Sequence, residues 1–113
     1  MASGNSPRPF DDVHTCGRDQ KTLTNVGAGS SVTIPFSNLL LRNGHSYLVT
    51  IIGDNNAWRY AGIIYKNGPT YAIDSFKTYS YVDVSVDSTN ITVTNTHPQY
   101  SMTLTVEFIG LIL

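Results

Sequence analysis

The amino-acid sequence predicts an all-β chain: an antiparallel β-sandwich, jelly-roll-like, of about seven strands, with an extended N-terminal arm. Three observations carry this. In residues 100–108, apolar Tyr100, Met102, Leu104, Val106 and Phe108 alternate with Ser101, Thr103, Thr105 and Glu107. A strand with one face in a core and one in water reads this way, because successive side chains point to opposite sides. Polarity comes from 13 Thr, 11 Ser and 9 Asn more than from the 7 Lys and Arg and 8 Asp and Glu, a balance that suits strands and turns better than helices. Turn-forming dipeptides also punctuate the chain at short intervals, and no apolar period of 3.6 appears.

Taken in order, residues 1–29 carry Pro7, Pro9 and four glycines with few large apolar side chains and no period. Such a segment buries too little apolar surface to offset its ordering entropy alone, so it is expected to be an arm, with Phe10 and Val13 as its docking residues on a larger partner. The β domain is expected over residues 30–113. Val32, Ile34 and Phe36 alternate with Ser31, Thr33 and Pro35, and the proline favours a sheet edge. Residues 37–44 form a connection, residues 45–53 the second strand, and Asp54-Asn55-Asn56 turns the chain into residues 58–66. Asn67-Gly68 is the strongest hairpin signal, read as a type I′ turn. Strands are then expected over residues 70–74, 79–86 and 90–95, the last with Ile91 and Val93 facing inward, before the final strand.

Three segments have apolar residues on both faces. Residues 45–53 place Tyr47, Val49 and Ile51 against Leu48 and Ile52; residues 58–66 place Trp58, Tyr60 and Ile64 against Ala61, Ile63 and Tyr65. The end of the chain loses its polar face altogether at Ile109, Gly110, Leu111, Ile112 and Leu113. One core covers one face of each strand, so the surplus calls for a second cover. Another copy of the chain is the expected cover, with Leu48, Ile52, Ile63, Tyr65, Ile109, Leu111 and Leu113 as the interface. The competing arrangement hides the surplus under residues 37–44.

Charge and motifs bound the chemistry. A net charge of −1 gives no basic field for phosphates, so nucleic acid is not an expected partner. No apolar stretch approaches the roughly 20 residues that cross a bilayer, and no charged region followed by an apolar run marks a secretory signal; no membrane association is expected, and folding is expected in a reducing cytoplasm. Cys16 is the sole cysteine and makes no internal disulfide. His14 and Cys16 stand two apart without a second pair, short of the four ligands of structural zinc. Neither a nucleophile with its base nor a distinctive carboxylate pair emerges, so no enzymatic activity and no cofactor are expected. Asn90-Ile91-Thr92 matches the glycosylation acceptor but is expected to stay unmodified and close a turn. Asp54, Asn55, Asn56 and Trp58 make a candidate ligand rim, hydrogen-bonding groups beside a stacking ring, the ligand being a cell-surface glycan. The alternative use of the central aromatics is to fill the core and the subunit contact.

The Pro/Gly-bearing arm, the Thr/Ser/Asn-rich sandwich and the final strand Tyr100-Ser101-Met102-Thr103-Leu104-Thr105-Val106 together resemble small bacteriophage particle proteins: tail-fibre tip modules, head fibres and capsid decoration proteins. The terminal Phe108-Ile109-Gly110-Leu111-Ile112-Leu113 resembles the last strand of trimeric tumour-necrosis-factor-like jelly rolls. These resemblances imply a homotrimer in a virion, docked on a larger particle protein through its arm. A carbohydrate- or receptor-binding adhesion module of a tail fibre is the alternative they leave open.

Overall fold

The structure, a computed structural model, describes residues 15–39, 46–55, 57–79 and 81–111. Phe10, Val13, Asn56 and Leu113 lie outside the described residues, as do residues 1–14 of the arm and residues 40–44 of the 37–44 connection. Among the described residues eight strands run β1 (Thr15–Val26), β2 (Ser31–Pro35), β3 (Ser46–Gly53), β4 (Arg59–Asn67), β5 (Thr70–Tyr79), β6 (Val82–Val86), β7 (Asn90–Asn95) and β8 (Met102–Leu111), with one 3₁₀ turn at Phe36–Asn38. They form two antiparallel sheets, a five-stranded one ordered β1-β8-β3-β4-β5 and a three-stranded one ordered β2-β7-β6. The first and last strands pair beside β3, and β2 pairs with β7 opposite, which is the jelly-roll element; β3, β4 and β5 form a plain meander.

The core follows from the alternation. Tyr47, Val49 and Ile51 from β3, Tyr60 and Ile64 from β4, and Met102, Leu104, Val106 and Phe108 from β8 are buried against Ile34, Val82, Val84, Ile91 and Val93 of the smaller sheet. Full burial of one such side chain stabilises by about 1.5–3 kcal/mol, so this single layer supplies the main driving force for folding. The two outer faces differ. The smaller sheet presents Ser31, Thr33, Asp83, Ser85, Thr92 and Thr94 in register, and Ser31 and Thr94 share a hydroxyl–hydroxyl bond of 2.7 Å.

Several expectations are corrected. Residues 15–26, placed in the arm from their composition, form a 12-residue edge strand antiparallel to β8. Of its described side chains only Leu23 and Val26 are buried, so backbone pairing rather than an apolar face holds it there, and hydropathy carries no trace of that. The turn between β4 and β5 is centred one residue later than expected: Asn67 pairs with Thr70, leaving Gly68 at φ 64 followed by Pro69. A proline cannot take the second positive φ of a type I′ turn, whereas glycine in first place suits type II′. The fifth strand runs on to Tyr79, past a register shift opposite Ala61/Gly62. The next begins only at Val82, because Tyr81 at φ 71 turns the chain from one sheet to the other. Tyr100 does not continue the inward face of β8; it is 59% exposed.

Candidate functional site

Two surfaces gather the residues singled out from the sequence. The first is the outer face of the five-stranded sheet. Leu48 stands opposite Ile63 on one side and Ile109 on the other, so Arg18, Ile109, Leu48, Ile63 and Asp74 form one cross-strand row. Neighbouring side chains in such a row lie about 4.5–5.5 Å apart at Cβ, which makes the three aliphatic residues one continuous stripe. Tyr65 and Ala72 pair in the next row outward, and the backbone of Leu111 pairs there with Ser46. The row on the other side is Gln20, Glu107, Thr50, Ala61 and Lys77, largely polar. Ile52 lies one row further still, between Thr105 and Arg59, and is 51% exposed; it stands apart from the stripe by about 13 Å at the rise of a strand. Leu48, Ile63, Tyr65 and Ile109 are partly buried, each shielding its neighbours.

The second surface is at the opposite end of the same strands. Gly53 donates its N–H to the Trp58 carbonyl at 2.7 Å, Trp58 N–H returns to the Asn55 carbonyl at 2.9 Å, and Asp54 N–H reaches the Thr103 carbonyl at 3.0 Å. Asn55 Oδ1 accepts from Ala57 N–H at 2.9 Å. Closure needs the glycine: a Cβ on Gly53 would stand 2.8 Å from Trp58 Cβ. Asp54 and Asn55 are exposed and Trp58 is partly buried.

Trp58 meets a residue that the sequence does not single out, and two more rings gather on that residue. Its ring lies 5.7 Å from that of His97, edge to face; Tyr81 approaches the same imidazole at 4.4 Å, and Tyr100 at 4.7 Å. Three rings from three loops thus converge on His97. Nδ1 of His97 accepts the N–H groups of Gln99 at 3.0 Å and Tyr100 at 3.1 Å, which assigns the ring proton of the neutral imidazole to Nε2.

One buried amide underlies this cluster. Asn95 has no solvent exposure; its Nδ2 donates to the Val26 carbonyl at 2.9 Å and the Tyr100 carbonyl at 2.8 Å, and its Oδ1 accepts His97 N–H at 2.8 Å. Its backbone N–H bonds Ser30, and Thr96 N–H bonds the Tyr81 carbonyl, both at 2.9 Å. Asn95 thereby ties the end of β1, the start of β2 and the 96–100 loop together. The signal was present: alternation with Ile91 and Val93 puts Asn95 on the inward face, where an amide needs partners.

Elsewhere, Tyr60 Oη and Ser75 Oγ share a 2.8 Å bond. Burial raises the Tyr60 phenol above its ordinary value, opposed by the Ser75 bond and reinforced by the Asp83 and Asp74 carboxylates. Asp87 Oδ1 accepts Thr89 and Asn90 N–H at 2.8 and 2.7 Å and the Thr89 hydroxyl at 3.1 Å. The Thr89 and Asn90 amides hold its carboxyl below the usual range. Asn90, in the glycosylation acceptor, sits in the turn closed by Asp87 N–H to the Asn90 carbonyl at 3.0 Å. Among the described residues no group of three His, Cys, Asp or Glu is placed to hold a metal ion, and no helix is long and apolar enough to cross a membrane.

No protein-family model matches the chain, and no curated protein or solved structure matches it either.

Proposed function

We propose that this chain is a non-enzymatic structural protein of a virion, a capsid decoration or fibre module. Its β domain self-associates through the outer face of the five-stranded sheet, and its N-terminal segment docks on a larger particle protein. The Ile109–Leu48–Ile63 stripe carries the reading. An aliphatic stripe on an outer sheet face is what a second copy would remove from water. The row is also self-complementary, ending in Arg18 on one side and Asp74 on the other. Rows laid antiparallel face to face set the Arg18 of each copy against the Asp74 of the other. Arg18 also reaches Glu107 at 3.6 Å within its own chain, an exposed pair that leaves its guanidinium accessible.

Residues 1–14 would then be the docking segment, entering the sheet at Thr15, which pairs with Leu111 beside the stripe. Mass in solution tests the association. Twice the 12.4 kDa of one chain corresponds to the two-fold pair and three times to the trimer implied by the resemblance, whereas a 12.4 kDa particle at micromolar concentration overturns self-association. Ile63→Lys should give folded monomer. Arg18→Asp should weaken association by a few-fold, and adding Asp74→Arg should restore it, since each exposed pair contributes about 0.2–1 kcal/mol. Removing residues 1–14 should leave the oligomer intact but abolish its sedimentation with the particle; unchanged co-sedimentation excludes the docking role.

A further inference from the structure

We propose that the cluster of Trp58, Tyr81, His97 and Tyr100 at the end of the sandwich is a binding site for a neutral saccharide, stacked on its exposed rings and hydrogen-bonded by its loop groups. This goes beyond self-association, which uses the other end of the sheet.

The rings are not closed on one another. Phe36 and Tyr71, beside the core, cover one another's faces: centroids 3.9 Å apart and planes within 23°. Around His97 the planes meet at 41–65° instead, so the rings do not cover one another face to face. Tyr81 remains 43% and Tyr100 59% exposed, among the largest exposures of any big apolar side chain described. Tyrosine and tryptophan set out in this way offer broad apolar faces with polar edges.

The backbone holds them there at a cost. Tyr81 sits at φ 71, a region where a bulky side chain costs about 1–2 kcal/mol. Its carbonyl is fixed by Thr96 N–H. Tyr81 lies outside the core and its ring stays partly exposed against His97, and such strain is most often retained where a side chain must be presented. The 96–100 loop is pinned from below by Asn95, and the 53–58 turn by its three backbone bonds. The site is therefore preorganised, which lowers the entropic cost of binding.

Chemistry selects the occupant. The proton on His97 Nε2 gives a donor among the rings, since Nδ1 is taken by two amides. Asn55, with its carbonyl engaged by Ala57, offers N–H donors, and the exposed Asp54 carboxylate offers acceptors. Residues 53–58 and 95–100 contain no Lys or Arg, so nothing there neutralises a phosphate or a sialic acid carboxylate. A ring with apolar C–H faces and hydroxyls around its edge, an uncharged pyranose, matches this set.

Trp58 is the sole tryptophan, so selectively excited tryptophan emission reports this site alone. The full chain is titrated with neutral di- and trisaccharides of glucose, galactose and N-acetylglucosamine, with choline and a proline-rich peptide as competing ligand classes. The expected result is a saturable fluorescence change with at least one saccharide, weakened tenfold or more by Tyr100→Ala and by Tyr81→Gly. The glycine variant removes the ring and relieves the positive φ, so its melting temperature should hold or rise while binding is lost. Saccharide binding that survives both variants places the site elsewhere and overturns the proposal. So does the absence of any saccharide response at millimolar concentration, or a response to choline or peptide only. Oligomer mass is measured alongside, and loss of binding with the oligomer intact separates this site from the stripe.

Discussion

Replacing Asn95 by alanine tests whether the aromatic end is built on a single buried amide. The side chain makes three hydrogen bonds, to the Val26 and Tyr100 carbonyls and from His97 N–H, and no solvent reaches it to replace them. A buried polar group left unsatisfied costs about 1–3 kcal/mol. Each carbonyl keeps a second lone pair, so the lower part of that range applies to them and the upper part to the N–H. The sum is about 3–5 kcal/mol, a large share of the 5–15 kcal/mol that holds a domain of this size together. Chemical denaturation followed by circular dichroism reads the loss directly, and the melting temperature should fall by roughly 10–20 °C. Trp58 emission should shift as well, because the 96–100 loop that places His97 against it is released. Asn95→Asp keeps the acceptor for His97 but turns an oxygen toward two carbonyls, so it should fall at least as far. Exposed Gln99→Ala, by contrast, should stay within about 0.5 kcal/mol of the parent. A loss below about 1 kcal/mol for Asn95→Ala, with Trp58 emission unmoved, would show that the loop is held by other contacts and refute the assignment.

Gly62→Ala should destabilise by about 1–3 kcal/mol in the same denaturation assay: a Cβ there stands 2.6 Å from Tyr60 Oη and 2.9 Å from the Asp74 carbonyl, and a near-neutral result would mean that Tyr60 is free to move. For Asp87 the folded carboxyl lies below its ordinary value, so its contribution to stability is present above the ordinary carboxylate range and lost as pH falls through the lowered value. Below about pH 4 the parent should therefore lose stability that Asp87→Asn does not, and parallel melting curves for the two proteins would contradict the turn geometry.

The alternating strands were legible because burial on one face leaves a period of two in the residues themselves, as Ile91 and Val93 or Leu104, Val106 and Phe108 show. β1 was not legible, since an edge strand is held by its neighbour's backbone: residues 18–22 are Arg-Asp-Gln-Lys-Thr, and charges on an edge also discourage further strand addition. The apolar surplus on β3, β4 and β8 was visible, but its union into one row depends on register, which hydropathy does not encode. Of the candidate ligand residues, Trp58 was found from its type and its turn. Its partner His97, and the Tyr81 and Tyr100 rings that meet the same imidazole, were hidden because they come together through the crossing of β7 to β8 and the corner before β6, both long-range features. Ile52 was grouped with the stripe by apolarity alone, and the pairing of β3 with β4 and β8 separates it.

The positions of the two surfaces on shared strands constrain how copies can pair. Leu48, near the start of β3, and Gly53, at its end, stand about 17 Å apart at the rise of a strand; the stripe lies toward the first end while the aromatic rings lie beyond the second. Two sheets packed face to face by a two-fold axis have two simple choices. An axis along the row direction sets Arg18 on Arg18 and Asp74 on Asp74 and reverses the strands. An axis along the strands crosses the rows, sets each Arg18 on an Asp74, and leaves both sets of strands pointing the same way. Like charges brought together are destabilising and opposite ones favourable, so electrostatics selects the second. That choice puts both aromatic ends on one side of the pair and both Thr15 entries, beside Leu111, on the other. In the proposed assembly, a pair of this kind would attach at one end and offer two rims at the other, where two weak saccharide contacts would act together through their high effective concentration.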